Sequence, residues 1–167
     1  MAVTYTQLGT TTLGSNQTVI TFSSIPSTYT DLVIVSNFGM SSAQYPFIRF
    51  NSDSGSNYST TDIYGNGSTA LSSRESNGSK IWLNLDIPSS TTLASNFVAN
   101  IQNYSNSSTY KTVIARGNVA ANGTSEIVGT WRNTSAITTI TLHAFGGGVA
   151  YDYITGSTFT LYGIEAA

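Results

Sequence analysis

The chain has 167 residues, 40% of them hydrophobic but only 8% charged, with a net charge of −2 and no cysteine. The polar share is Ser, Thr, Asn and Gly where an average soluble domain carries roughly 25% charged residues. Disulfides, thiolate metal sites and a cysteine nucleophile are excluded, and six scattered Lys and Arg residues make no stripe for phosphates, so nucleic acid is not expected as a partner.

Thr favours strands while Asn, Gly and Ser favour turns, so the expected class is all-β, in one domain over 1–167. Ala2–Leu8 alternates as an edge strand. Val19, Ile20 and Phe22 form a short β-prone run that Pro26 closes. Leu32-Val-Ile-Val35 is the most continuous apolar run and fits a central strand covered on both faces. Asn37–Gln44 is a polar loop holding Phe38 and Met40. Ile48 and Phe50 share one face of the next strand, and Asn51–Gly55 is dense turn chemistry.

Tyr58–Tyr64 is a further strand, and Gly65–Ser79 has no period, so it is expected as a surface loop. In Ile81–Ile87 the residues Ile81, Leu83, Leu85 and Ile87 share a face, leaving Trp82 on the other face in need of cover. Phe97, Ala99 and Ile101 point inward from the next strand, and Lys111–Arg116 follows with Val113 and Ala115 on one phase. Asn122-Gly123 is a two-residue hairpin signal. Ile127–Trp131 and Ile137–Ala144 are strands, Gly146–Gly156 is a loop carrying Tyr151, Asp152 and Tyr153, and Thr158–Ile164 closes the chain. About ten short strands at turn-marked spacing predict an antiparallel, jelly-roll-like β-sandwich.

Catalysis is not expected. His143 is the only histidine, and no Gly-x-Ser-x-Gly elbow accompanies it. Asn51-x-Asp53-x-Gly55 with Asp62 offers oxygen donors to calcium but lacks the order of an EF-hand, and an Asx-type turn explains the same residues. No metal or cofactor is assigned. Tyr151, Asp152 and Tyr153 on a Gly-flanked loop have the make-up of a glycan site or of a contact surface. With only two Lys to guard sheet edges, a covered edge in a stable assembly is expected. Nothing approaches 18 consecutive apolar residues, so no membrane span is expected, and Met1-Ala-Val-Thr-Tyr5 does not open like a signal peptide.

Several pieces come in an order similar to a group of tailed-phage virion proteins, common among phages of cyanobacteria and other aquatic bacteria. They are Thr11-Thr-Leu13, Ile20-Thr-Phe-Ser-Ser-Ile-Pro26 with Tyr29-Thr-Asp-Leu32, Ile48-Arg-Phe-Asn51 and Asp53-Ser-Gly-Ser-Asn-Tyr58. Gly129-Thr-Trp131, Asn133-Thr-Ser-Ala-Ile137 and Gly156-Ser-Thr-Phe-Thr-Leu-Tyr-Gly-Ile164 complete the set, which spans nearly the whole chain. The resemblance implies an oligomeric virion structural protein with a β-sandwich fold, and it supplies no catalytic residues. On it rests the expectation of a capsid decoration (cement) protein, a homotrimer on the outer head surface whose partner is the major capsid protein. Strand edges, Trp82 and the loop tyrosines would make the contacts. The alternative is a receptor-binding or fibre-tip module that takes a host surface glycan through the loops 65–79 and 146–156.

Overall fold

A computed structural model describes residues 4–84, 86–120, 122–146 and 148–165. The chain runs through β1 (Tyr5–Thr12), β2 (Val19–Phe22), β3 (Asp31–Phe38), β4 (Tyr45–Phe50), β5 (Tyr58–Gly65) and β6 (Ala70–Gly78). It continues through β7 (Ile81–Trp82), β8 (Ser95–Gln102), β9 (Lys111–Val119), β10 (Gly123–Trp131), β11 (Ile140–Gly146), β12 (Val149–Tyr151) and β13 (Thr158–Ile164). These thirteen strands, three more than about ten, make two antiparallel sheets packed as a sandwich. One has eight strands in the order β1-β13-β3-β8-β9-β10-β5-β6. The other has five: β12-β11-β4-β7, with β2 pairing the first half of β11 on the side where β12 pairs its end.

Alternation decides the core. Leu32 and Ile34, Phe97 and Ala99, Val113 and Ala115, and Phe159 and Leu161 point inward from the larger sheet. Ile20, Ile48, Phe50, Ile81, Ile140 and Leu142 meet them from the smaller one. Between the two sheets, Gly129 of β10 lies under Ile81 of β7. A Cβ at Gly129 would stand 2.4 Å from the Ile81 side chain, so the position has no room for one. Lys111 is wholly buried at the start of β9, and its Nζ donates to the carbonyls of Asn106, Thr109 and Thr134 at 2.5, 2.8 and 3.2 Å.

The structure corrects five local expectations. Gly65–Ser79 contains β6, the edge strand on β5. Neither of its faces is buried along most of its length, so no period marked it in the sequence. Ile81–Ile87 is a strand only at its first two residues. The backbone then turns, Leu83 donating to the Pro46 carbonyl and the Asn84 amide oxygen accepting from Ile87 N–H, while Leu83 and Ile87 stay buried (Leu85 lies outside the described residues). Phe38 and Met40 belong to the core because β3 keeps its alternation to Phe38. Val35, expected under cover, is 41% exposed on the outer face. The hairpin between β9 and β10 pairs Val119 with Gly123, so Gly123 belongs to the ladder and not to the two-residue turn that Asn122-Gly123 implied.

The chain passes from the smaller sheet to the larger through Asn51–Asn57. Asn51 and Ser52 take positive φ (51° and 58°), and the Asp53 carboxylate accepts from Gly55 N–H at 2.8 Å, an Asx turn. The same carboxylate accepts from Asn57 Nδ2 at 2.9 Å and from the buried Trp131 Nε1 at 2.7 Å. Burial would raise its pKa, but the bonds from Trp131, Asn57 and Gly55, with the Arg49 charge, hold it below the ordinary 3.8. Asp53→Ala removes all three bonds and leaves a buried indole N–H without its acceptor. It is expected to cost about 2–4 kcal/mol, read as a lower urea midpoint at pH 7.

Candidate functional site

The residues singled out in the sequence do not converge. Trp82 stands on β7, at one edge of the five-stranded sheet, and Tyr151 on β12, at the opposite edge. Tyr151 is partly buried against the core. Asp152 accepts from Thr18 Oγ1 at 2.8 Å and its carbonyl from Ser41 N–H. Tyr153, expected on an exposed loop, has no exposed surface. Its ring packs edge-on against Phe38 and Phe159, its hydroxyl donates to the His143 carbonyl at 2.9 Å, and its backbone bridges Gln17 and Met40. Burial raises its phenol far above the ordinary value, which keeps it a neutral donor. Among the described residues of Gly146–Gly156, a short strand is therefore followed by a core-anchoring bridge.

Trp82 belongs to a patch on the outer face of the five-stranded sheet. Pairing aligns Trp82, Phe47, His143 and Val19 in one row across four strands, with Tyr45 and Phe145 in the next row. The His143 ring stacks on Phe47, centroids 4.8 Å apart and planes 6° apart. Trp82 meets Phe47 and Tyr45 edge-on at 5.7 and 6.2 Å. Lys80 Nζ lies 4.4 Å from the Trp82 ring, 5.2 Å from Phe47 and 5.4 Å from Phe145, and the Arg49 guanidinium lies 5.0 Å from Phe47. Glu75, on the neighbouring β6, accepts from the Trp82 indole N–H. The cover Trp82 needed thus comes from within the chain. Phe47 is left 3% exposed although it points outward.

The patch has little chemistry to offer. Burial, with the Arg49 charge, lowers the His143 imidazole from 6.5 to about 4, so it is neutral at pH 7. No hydrogen bond joins its ring to a serine or carboxylate among the described residues. Burial also lowers Lys80, opposed by Glu75 and aided by Arg49. The ring faces on which a sugar would stack are taken by the protein's own cations. Of the calcium candidates, Asp53 is spent in the Asx turn and Asp62 is buried within β5. No group of three or more His, Asp or Glu side chains gathers among the described residues.

The outer face of the eight-stranded sheet is different. It carries Thr, Asn and Ser with few charges, and on it Val35, Ile63 and Val128 are 41%, 62% and 49% exposed. Val35 was expected under cover, and Ile63 and Val128 were not singled out, because isolated β-branched residues in polar strands look ordinary until the pairing aligns them. A polar groove of about 460 Å³ lies at the β5–β6 edge, lined by Ser59, Thr61, Arg74, Glu75, Asn77 and Arg132. Compared with known proteins, the chain matches no family model, no curated protein and no solved structure.

Two expectations follow from the aromatic patch. Trp82→Ala removes a half-buried ring with four neighbours and is expected to cost about 1–2 kcal/mol in thermal unfolding, below the roughly 3–5 of a fully buried Trp, without unfolding the chain. For His143 the folded pKa is below the unfolded one, so protons bind the unfolded chain first. Stability is complete above pH 6.5 and falls as the pH drops toward about 4. Screening at a half-buried ring reduces the loss to about 1 kcal/mol, and His143→Phe, which keeps the stack, should flatten this part of the melting-temperature profile.

Proposed function

We propose that this chain is a structural protein of a phage particle: a capsid decoration (cement) protein on the outer head surface that works as a homo-oligomer and bridges subunits of the major capsid protein. The observation that carries the reading is the broad outer face of the eight-stranded sheet, polar with few charges and with exposed Val and Ile, a surface suited to the contact between copies that such an oligomer needs. The sequence resemblance supplies the particle. Ligation of neighbouring subunits would stabilise the shell by mass action, because the protein binds the assembled lattice and not its dissociated parts. No reacting group is required for this.

A glycan-binding role keeps one observation in its favour, the groove between Arg74 and Arg132. Both guanidinium groups are used locally, Arg132 on Ser56 O and Asn77 Oδ1 and Arg74 on Ser76 Oγ. The segment 146–156, the other expected sugar loop, has its Tyr153 in the core. Imaging intact particles with a gold-labelled antibody against this chain separates the readings. Label over the head is the expected result. Label confined to the tail would replace decoration by receptor binding, and unlabelled particles would overturn both.

A further inference from the structure

The outer face of the eight-stranded sheet has a pattern that its charge and length alone do not require. Pairing places Val35, Val98, Arg116, Glu126 and Ile63 in one row across β3, β8, β9, β10 and β5. The neighbouring row reads Asn100, Ile114, Val128 and Thr61 across β8, β9, β10 and β5. Arg116 and Glu126 are exposed and side by side near the middle of the sheet, flanked by apolar residues on either side.

Two copies that meet through the same face are related by a two-fold axis lying in the interface. Laid along the strands between β9 and β10, such an axis sets β9 against β10 of the second copy and β8 against β5. Arg116 then faces Glu126, Ile114 faces Val128, Val98 faces Ile63 and Asn100 faces Thr61. In these four pairs apolar meets apolar, polar meets polar and charge meets its opposite, while at the margin β3 lies over β6 and sets Val35 against Ser72 and Val33 opposite Arg74. Aligned sheets cross at about 30°, so the match is closest at the β9 and β10 pairs near the axis. Six strands of each copy overlap, about 29 Å by 25 Å or roughly 700 Å² a side, near the roughly 800 Å² per partner of a standard interface.

We infer that a second copy of this chain docks on the outer face of the eight-stranded sheet about a two-fold axis between β9 and β10. The contact deepens the oligomer of the function proposed above but does not depend on a phage particle, and it makes a dimer where the sequence led to a trimer. It occupies the larger sheet and leaves the aromatic patch of the smaller one facing outward.

Sedimentation equilibrium of the purified full chain tests it without any particle, so it and the decoration reading can fail separately. The wild type should be a dimer, and Val128→Lys should weaken it about 100-fold while circular dichroism shows a folded chain. Arg116→Glu should weaken it about 10-fold, and adding Glu126→Arg should restore it, since the facing pairs are then merely exchanged. Should Val128→Lys fail to fold, Ile63→Thr, at an open position, should still weaken the dimer by about 10-fold. A wild type that stays monomeric at about 1 mM would overturn the inference. So would a dimer or trimer indifferent to Val128→Lys, or to Ile63→Thr, because its contact would then lie on another face.

Discussion

The hydrogen bond from the Trp131 indole to the Asp53 carboxylate sits where the two sheets are tied together. Trp131 ends β10 in the eight-stranded sheet, and Asp53 lies in the turn by which the chain leaves the five-stranded one. Around that bond Trp131 packs on Phe50 and stacks on Tyr58, whose hydroxyl meets the Phe50 N–H and the Asp53 carbonyl. A large aromatic can be buried only if its polar end finds a partner. The partner here is fixed by an Asx turn, so the turn, the crossover and the first pair of the β10–β5 register (Trp131 with Tyr58) are specified together.

The same economy recurs elsewhere. With few charges to spend, the chain satisfies buried polar groups with hydroxyls, amides and main-chain carbonyls. The Lys111 ammonium is solvated by three carbonyls where another protein would pair it with a carboxylate, and burial lowers its pKa. Ser36 Oγ donates to the Phe97 carbonyl and accepts from the Phe97 N–H inside the larger sheet. Tyr104 reaches the Pro26 carbonyl to pin the β2–β3 connection. Such bonds cost less desolvation than ion pairs and hold their geometry across pH.

How far the sequence could be read follows from which contacts are local. Thr158–Ile164 was legible to its ends because Phe159 and Leu161 alternate with residues of the opposite face, and one buried face is enough to set a period. Phe97–Ile101 was legible for the same reason. β6 was not, since an edge strand exposed on both sides has no apolar phase to show. Ile81–Ile87 misled in the opposite direction: its alternation is real in burial at Ile81, Leu83 and Ile87, yet the backbone bends after Trp82. Tyr153 was misplaced because its flanking glycines suggested exposure, while the cavity between Phe38 and Phe159 that receives it is made by strands distant in sequence. The aromatic row and the Val–Ile rows depend wholly on long-range register, which one sequence does not display.

The two outer faces explain each other. On the five-stranded sheet, aromatic side chains that would be sticky are covered by Lys80, Arg49 and Glu75, whose charges stay beside water while their stems or contacts mask the rings. Two of the six basic residues are spent this way, with Glu75, the only acid on β6, beside them. The eight-stranded face has no such cover: Arg116 and Glu126 lie side by side in its middle, and Ile63 and Val128 beside them project into solvent. Charge that masks the rings on one face and leaves the apolar side chains open on the other is the arrangement of a protein that uses its sides differently. Burying the unprotected sheet against its own copy turns the protected sheet outward, where a surface closed by its own cations resists further unselective association.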